Sequence, residues 1–99
     1  MTSVKCKECD HEIKYTPRVN FIVFCPNCLK YSFLECEYGY GPVVPCSIFI
    51  GEKEIGTVSQ KGYSYTLQTQ YSDELIKLEN QYLEALEEAI EIIKSKIEI

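Results

Sequence analysis

The sequence predicts an α+β fold that consists of N-terminal β-hairpins, a three-stranded antiparallel β-meander and one long C-terminal α-helix. Three observations predict this fold. Four cysteines form two close pairs in the pattern C-x2-C-x15-C-x2-C. β-rich runs with short glycine-containing turns between them fill the middle of the chain. Residues 73–99 contain neither glycine nor proline, which is typical of an uninterrupted helix.

Length and charge limit the classes of protein to which the chain can belong. Its 99 residues are enough for one small domain, and 15 acidic against 10 basic residues give a formal net charge of −5. Residues 1–72 carry seven acids and seven bases, whereas residues 73–99 carry eight acids and three bases. The whole net charge therefore belongs to the C-terminal segment, and this balance disfavours direct nucleic-acid binding.

The role of the six cysteines depends on whether the cell compartment is oxidising or reducing. The chain has no apolar run of the roughly 18 residues that a membrane span requires, and its first residues lack the apolar region of a signal peptide. We therefore expect no membrane association and a cytoplasmic or intracellular location. In a reducing compartment, closely spaced cysteines more often bind metal than form disulfides.

The two cysteine pairs have the spacing of a tetrahedral metal site. A C-x2-C pair supplies two sulfurs from one tight turn, so two such turns, called knuckles below, complete four ligands. The predicted ligands are Cys6, Cys9, Cys25 and Cys28. In the second knuckle, proline fixes φ and Asn27 tolerates the left-handed conformation. Four thiolates close the coordination shell, which predicts one structural zinc ion rather than a catalytic one.

Residues 4–37 resemble the zinc-ribbon class of folds. The resemblance rests on the two knuckles and on β-rich runs at 12–16, 21–24 and 30–37. It implies β-hairpins that carry the knuckles, and it assigns no role to residues 38–99. The class includes parts of transcription factors, ribosomal proteins, polymerase subunits and enzymes. Many ribbons have glycine soon after a knuckle cysteine, where this chain has Asp10 and Leu29.

Three further residues near the motif have open roles. Cys36 and Cys46 are interpreted as ordinary buried residues, as a disulfide across the intervening loop, or as a source of one exchanging ligand. His11 stands beside a complete set of four cysteines, so we expect it to be exposed or to support a ligand from outside the coordination shell.

The middle of the chain predicts three antiparallel strands, at 46–50, 55–59 and 63–68. The chain contains eight tyrosines and no tryptophan, and six of the tyrosines fall in the β-rich part. They could form a platform for stacking bases, or they could cover a half-buried sheet. Because this region has no net positive charge, the second interpretation is favoured.

The C-terminal segment predicts a helix from about 73 to 97, with Ser72 as its N-cap. A seven-residue spacing places aliphatic residues at six of seven core-type positions. These residues are Ile76, Leu83, Leu86, Ile90, Ile93 and Ile97. Two alternatives follow: the stripe covers the sheet of its own chain, or it serves oligomerisation or the docking of a partner.

The predicted units are a zinc ribbon at 1–37, a β-meander at 38–70 and an acidic amphipathic helix at 71–99. Because no catalytic constellation is evident, we expect a non-catalytic, zinc-stabilised module for protein interaction or assembly. Its partner would be a second copy of itself or a basic protein. One alternative is a nucleic-acid-associated or transcription-related regulator that acts through the ribbon. A second alternative is a rubredoxin-like iron electron carrier.

Overall fold

A computed structural model describes residues 2–17, 20–35 and 45–97. Strands β1 (Thr2–Lys5) and β2 (Glu12–Tyr15) form an antiparallel hairpin of their own. The remaining strands form one six-stranded sheet, followed by helix α1 (Leu83–Ile97). These strands are β3 (Phe21–Phe24), β4 (Ser32–Glu35), β5 (Cys46–Ile50), β6 (Lys53–Lys61), β7 (Ser64–Thr69) and β8 (Ser72–Leu78). Their order in the sheet is β4-β3-β5-β6-β7-β8.

Strand β3 joins the cysteine-bearing N-terminal part to the meander. It pairs antiparallel with β4 and parallel with β5, so that Ile22 lies beside Leu34 on one side and Ile48 on the other. All four residues of β3 are buried, as expected for a strand covered on both faces. The hairpin β3–β4 and the meander are therefore continuous. The predicted boundary between residues 37 and 38 lies outside the described residues.

The predicted helix start at residue 73 is wrong, because Ser72–Leu78 is a strand. It pairs antiparallel with β7 and places Ile76 opposite Leu67. The alternation in β8 explains this result: Ile76 and Leu78 turn to the core while Leu75 is 63% exposed. The described meander thus has four strands rather than three. The helix is correspondingly shorter, with 15 residues from Leu83 to Ile97.

Two apolar clusters lie on opposite faces of β3. One contains Ile22 and Phe24 together with the buried residues of α1. The other contains Phe21 and Val23 together with buried residues of the β1–β2 hairpin. The helix covers one face of the sheet, and the small hairpin covers part of the other, so each cluster depends on a different element packed against β3.

The aliphatic stripe predicted for the C-terminal segment is used within the chain. Leu86 and Ile93 are completely buried in the cluster beneath α1. The other four members, Ile76, Leu83, Ile90 and Ile97, are partly buried against the same cluster. Ile76 reaches it from β8 rather than from the helix. Of the two alternatives, the structure has the stripe packed on its own sheet.

The tyrosines are divided between core and surface. Tyr15 and Tyr65 are buried, whereas Tyr63 and Tyr82 are 92% and 69% exposed. Tyr82 adopts a φ of 57° immediately before the helix, and its ring contacts Tyr65 edge-on with centroids 6.3 Å apart. The tyrosines at positions 38 and 40 lie outside the described residues. Within the described ranges, no helix is long and apolar enough to cross a membrane.

Candidate metal centre

The four predicted ligand residues converge between the two hairpins. Cys6 and Cys9 lie in the turn that joins β1 to β2, and Cys25 and Cys28 lie in the turn that joins β3 to β4. Their sulfur atoms all lie within 4.8 Å of one another. The structure therefore brings together residues that are up to 22 positions apart in the sequence. This arrangement could hold a metal ion.

The two knuckles share one backbone hydrogen bond, and the bond that closes each turn differs by one residue. In the first, the Cys6 N–H donates to the His11 carbonyl at 2.9 Å, and the Asp10 N–H donates to the Cys6 carbonyl at 3.0 Å. In the second, the Leu29 N–H likewise donates to the Cys25 carbonyl at 3.0 Å, whereas the Cys25 N–H donates at 2.9 Å to the Tyr31 carbonyl, one residue further along than in the first knuckle. These bonds define the two turns and place both cysteines of each pair within one turn.

The sulfur geometry fits tetrahedral coordination. Four sulfurs bound at about 2.3 Å to a central ion stand about 3.8 Å from one another. Across the knuckles, the Sγ atoms of Cys6 and Cys28 are 3.6 Å apart and those of Cys9 and Cys25 are 3.7 Å apart. These separations agree with the edges of such a tetrahedron, and they are far longer than the roughly 2.05 Å of a disulfide bond.

Backbone amides point at the sulfurs, as a thiolate site requires. The N–H groups of Glu8 and Cys9 donate to the Cys6 Sγ at 3.3 and 3.4 Å. The side-chain amide of Asn27 donates to the Cys9 Sγ at 3.3 Å. Such bonds stabilise negative charge on sulfur and orient the ligand, which is the role of groups just outside a metal's coordination shell.

The cysteines differ in how readily they lose a proton. Backbone N–H groups of Lys30 and Tyr31 lower the pKa of Cys28 to about 6 from its usual 9.0. The Asn27 amide and the His11 N–H lower the pKa of Cys9. Burial instead raises the pKa of Cys6 to about 12, against the hydrogen bonds that it accepts. Because a metal requires thiolates, its binding must release the proton held by the buried thiol.

Asn27 has a role that the sequence did not predict. We expected it to tolerate a left-handed backbone, but the residues with positive φ in the knuckles are Asp10 and Leu29, at 61° and 60°. Asn27 instead contributes its side chain to Cys9 of the other knuckle. An amide residue inside a C-x2-C turn is the only signal in the sequence that could have suggested this contact.

The second knuckle is also attached to the large sheet. The Gly51 N–H, in the turn between β5 and β6, donates to the Phe24 carbonyl at 3.0 Å. Gly51 has a φ of 60°, and a Cβ added there would lie 3.4 Å from the Pro26 side chain. This close approach means that the position of the second knuckle and the turn of the main sheet depend on each other.

The remaining candidate residues lie outside the cluster. His11 is exposed and contributes backbone groups rather than its ring to the site. Cys46 is completely buried in the cluster beneath α1, where its Sγ lies 3.8 Å from the Ser47 carbonyl. Cys36 lies outside the described residues, so the alternatives for this pair stay predictions.

Comparisons of the chain with protein-family models, with curated proteins and with solved structures found no match. The resemblance to zinc ribbons therefore depends on the cysteine spacing and the sulfur geometry alone.

Proposed function

We propose that this protein is a non-catalytic module for protein interaction, stabilised by one zinc ion on Cys6, Cys9, Cys25 and Cys28. The observation that carries the proposal is the convergence of four sulfurs within 4.8 Å of one another between two hairpins, with two separations across the knuckles of 3.6 and 3.7 Å. Four thiolates leave no open position for substrate, which is the usual mark of a structural rather than a catalytic site.

Zinc is proposed over iron because of the ligand chemistry and the surrounding fold. Four sulfurs at tetrahedral separations suit either metal, but zinc needs no redox partner, and rubredoxin-like loops usually have glycine where this chain has Asp10 and Leu29. The ion would join two small hairpins, of which β1–β2 has only four residues in each strand. A two-stranded hairpin is marginal on its own, so an ion that ties it to β3–β4 contributes directly to folding.

The protein-interaction role is supported by the negative charge of the exposed face of α1. The described part of the helix presents Glu84, Glu87 and Glu91 to solvent, opposite its apolar stripe. Such a surface repels phosphate backbones and attracts basic protein segments. We therefore propose a protein partner rather than nucleic acid.

Metal analysis tests the zinc proposal. The protein is produced in medium that contains both zinc and iron, and its metal content is measured by mass spectrometry alongside its absorption spectrum. We expect one zinc ion per chain and a colourless protein. A red preparation with one iron per chain would instead support the electron carrier.

Cysteine variants then test whether the four thiols hold the ion. Cys25→Ser should lose the zinc, whereas Cys46→Ala, at a buried cysteine outside the cluster, should keep one zinc per chain. Since both variants lose a buried group, the comparison separates metal loss from general destabilisation. Retention of zinc by Cys25→Ser would contradict the proposed ligand set.

A further inference from the structure

The candidate metal centre has a buried side and a side that faces solvent. Cys6 and Cys25 are completely buried, whereas Cys9 and Cys28, the second cysteine of each knuckle, are partly exposed. A competing ligand from solvent, such as a chelator, reaches the partly exposed cysteines before the buried ones. The contacts that hold the sulfurs of Cys9 and Cys28 therefore control how fast a bound ion is released.

The sulfurs of these two cysteines are held by different groups. The Cys28 sulfur accepts two backbone N–H groups from residues that follow it in its own hairpin. The Cys9 sulfur accepts one such N–H group, from His11. It also accepts a hydrogen bond from the side-chain amide of Asn27, whose Nδ2 lies 3.3 Å from it in the other knuckle. Cys9 is thus held in part by a side chain from the second hairpin.

Asn27 lies in the knuckle that is better attached to the rest of the protein. The second knuckle joins β3 and β4 of the six-stranded sheet, and the Phe24 carbonyl just before it accepts the Gly51 N–H at 3.0 Å. Cys9 lies in the β1–β2 hairpin, a separate sheet of two four-residue strands. A two-stranded hairpin is marginal on its own, so the Asn27 amide links the less stable hairpin to the more stable sheet.

The first knuckle offers no equivalent donor. Glu8 occupies the position there that Asn27 occupies in the second knuckle, directly before the second cysteine. Its backbone N–H donates to the Cys6 sulfur, but its carboxylate can only accept hydrogen bonds. The side chain of Glu8 therefore cannot do for Cys28 what the amide of Asn27 does for Cys9.

We propose that Asn27 is a positioning residue that holds the Cys9 thiolate on the ion and slows metal release. This inference rests on the proposed zinc site and deepens it. An N–H group that donates to a thiolate forms a charge-assisted hydrogen bond, which stabilises the negative sulfur and keeps it directed at the ion. Without the amide, Cys9 should leave the ion more often, and a chelator should then remove the zinc faster.

The rate of zinc release tests this role. Zinc-loaded, full-length protein is mixed at neutral pH with an excess of a chromogenic chelator, and the absorbance of the zinc–chelator complex is followed. Asn27→Ala removes the donor, and we expect it to accelerate release about tenfold. Asn27→Asp keeps the size of the side chain but places a carboxylate beside the thiolate, so it should accelerate release further.

Glu8→Ala is the matched control. It truncates the side chain at the equivalent position of the first knuckle, but it keeps the backbone N–H that donates to Cys6. Release from Glu8→Ala should be no faster than release from the wild-type protein. If Asn27 only filled space in its turn, Asn27→Asp would behave like the wild-type protein instead.

Cysteine alkylation locates the effect within the site. Zinc-loaded protein is treated with limiting iodoacetamide, and the modified cysteine in singly alkylated chains is identified by mass spectrometry. Asn27→Ala should raise the alkylation of Cys9 relative to that of Cys28, because the amide bonds to Cys9. A general loosening of the two turns would raise the alkylation of both cysteines equally.

Three results would overturn the role of Asn27: release from Asn27→Ala at the wild-type rate, release from Asn27→Asp at the wild-type rate, or equal extra alkylation of Cys9 and Cys28. Any of these results with a wild-type chain that carries one zinc ion would leave the proposed metal module standing. A wild-type chain that binds no zinc would instead remove the metal module, and the role of Asn27 with it.

Discussion

Asp10 and Leu29 occupy equivalent positions, each one residue after the second cysteine of its knuckle, with φ values of 61° and 60°. Each donates its N–H to the carbonyl of the first cysteine, at 3.0 Å in both knuckles. The two hairpins therefore use the same turn, which requires a left-handed residue at this point. Neither residue is glycine, the residue type that adopts this conformation without strain.

Leu29→Gly is expected to stabilise the protein by about 0.5–1 kcal/mol. A left-handed conformation costs a leucine roughly 1–2 kcal/mol, part of which is offset by the greater freedom of glycine in the unfolded chain. Asp10→Gly should gain less, because aspartate visits this conformation more readily. Chemical denaturation of the metal-loaded protein measures both changes.

A substitution in the opposite direction, from glycine to a residue with a Cβ, serves as the control. Gly62 has a φ of 63°, and a Cβ added there would meet only open space, so Gly62→Ala changes backbone strain without a steric clash. It should destabilise the protein by about 1 kcal/mol. If Leu29→Gly lowered stability instead, contacts of the leucine side chain would outweigh its backbone strain.

Removal of the metal should affect the two sheets differently. The β1–β2 hairpin is a separate two-stranded sheet attached through the cysteine cluster and a small apolar cluster, whereas β5–β8 form a continuous sheet under α1. After chelation, hydrogen exchange should accelerate strongly in Thr2–Lys5 and Glu12–Tyr15. Protection in β6, β7 and α1 should largely remain.

Unchanged exchange in β1 and β2 after complete chelation would show that the apolar cluster alone holds the hairpin. Re-addition of zinc to the chelated protein should restore the slow exchange, which separates metal loss from damage caused by the chelator.

Glu88 on α1 holds the loop that precedes the helix. Its carboxylate accepts the Glu79 N–H at 3.0 and 3.1 Å, the Asn80 N–H at 3.0 Å and the Asn80 side-chain amide at 2.7 Å. Glu88→Gln should destabilise the protein by about 1 kcal/mol. The effect is small because water screens this partly exposed carboxylate. Glu87→Gln, at the exposed neighbouring acid, is the matched control and should have little effect.

The same contact predicts a pH dependence. Burial raises the pKa of Glu88, but the hydrogen bonds from Glu79 and Asn80 outweigh it and hold the pKa below the usual 4.5. A lowered folded-state pKa means that this stabilisation is complete above pH 4.5 and is lost as pH falls through the folded value. The stability difference between wild type and Glu88→Gln should therefore shrink below pH 4.5. A difference that stayed constant under acid would contradict the contribution of the charged carboxylate.

Leu86 anchors the helix on the sheet and is completely buried. Leu86→Ala should cost about 2–5 kcal/mol, because it leaves a cavity between α1 and the sheet. Leu86→Asp should undock or unfold the helix, because it buries a charge. Leu75→Ala, at a leucine that is 63% exposed, is the control and should change the stability of the monomer little. Far-ultraviolet circular dichroism during denaturation measures all three variants.

Local chemistry decided what could be predicted at the cysteine cluster. The C-x2-C spacing alone restricts two sulfurs to one turn, and the aromatic and β-branched run at 21–24 favours a buried strand. The pairing of the two knuckles with each other follows because a tetrahedral ion needs four ligands. The contact of Asn27 with Cys9 could not be predicted from the sequence. It joins two hairpins whose relative position depends on the tertiary structure.

By itself, the sequence determined the α+β class, the four cysteines that converge and the apolar stripe at the C-terminal end. Only the tertiary structure decided that Ser72–Leu78 is a strand and that β3 lies parallel to β5. The residues from Asp73 to Leu78 suit either a helix or a half-buried strand, and pairing with β7 settles the choice. Local preference is worth tenths of a kcal/mol per residue, whereas burial of Ile76 beside Leu67 and of Leu78 beside Tyr65 is worth several times more.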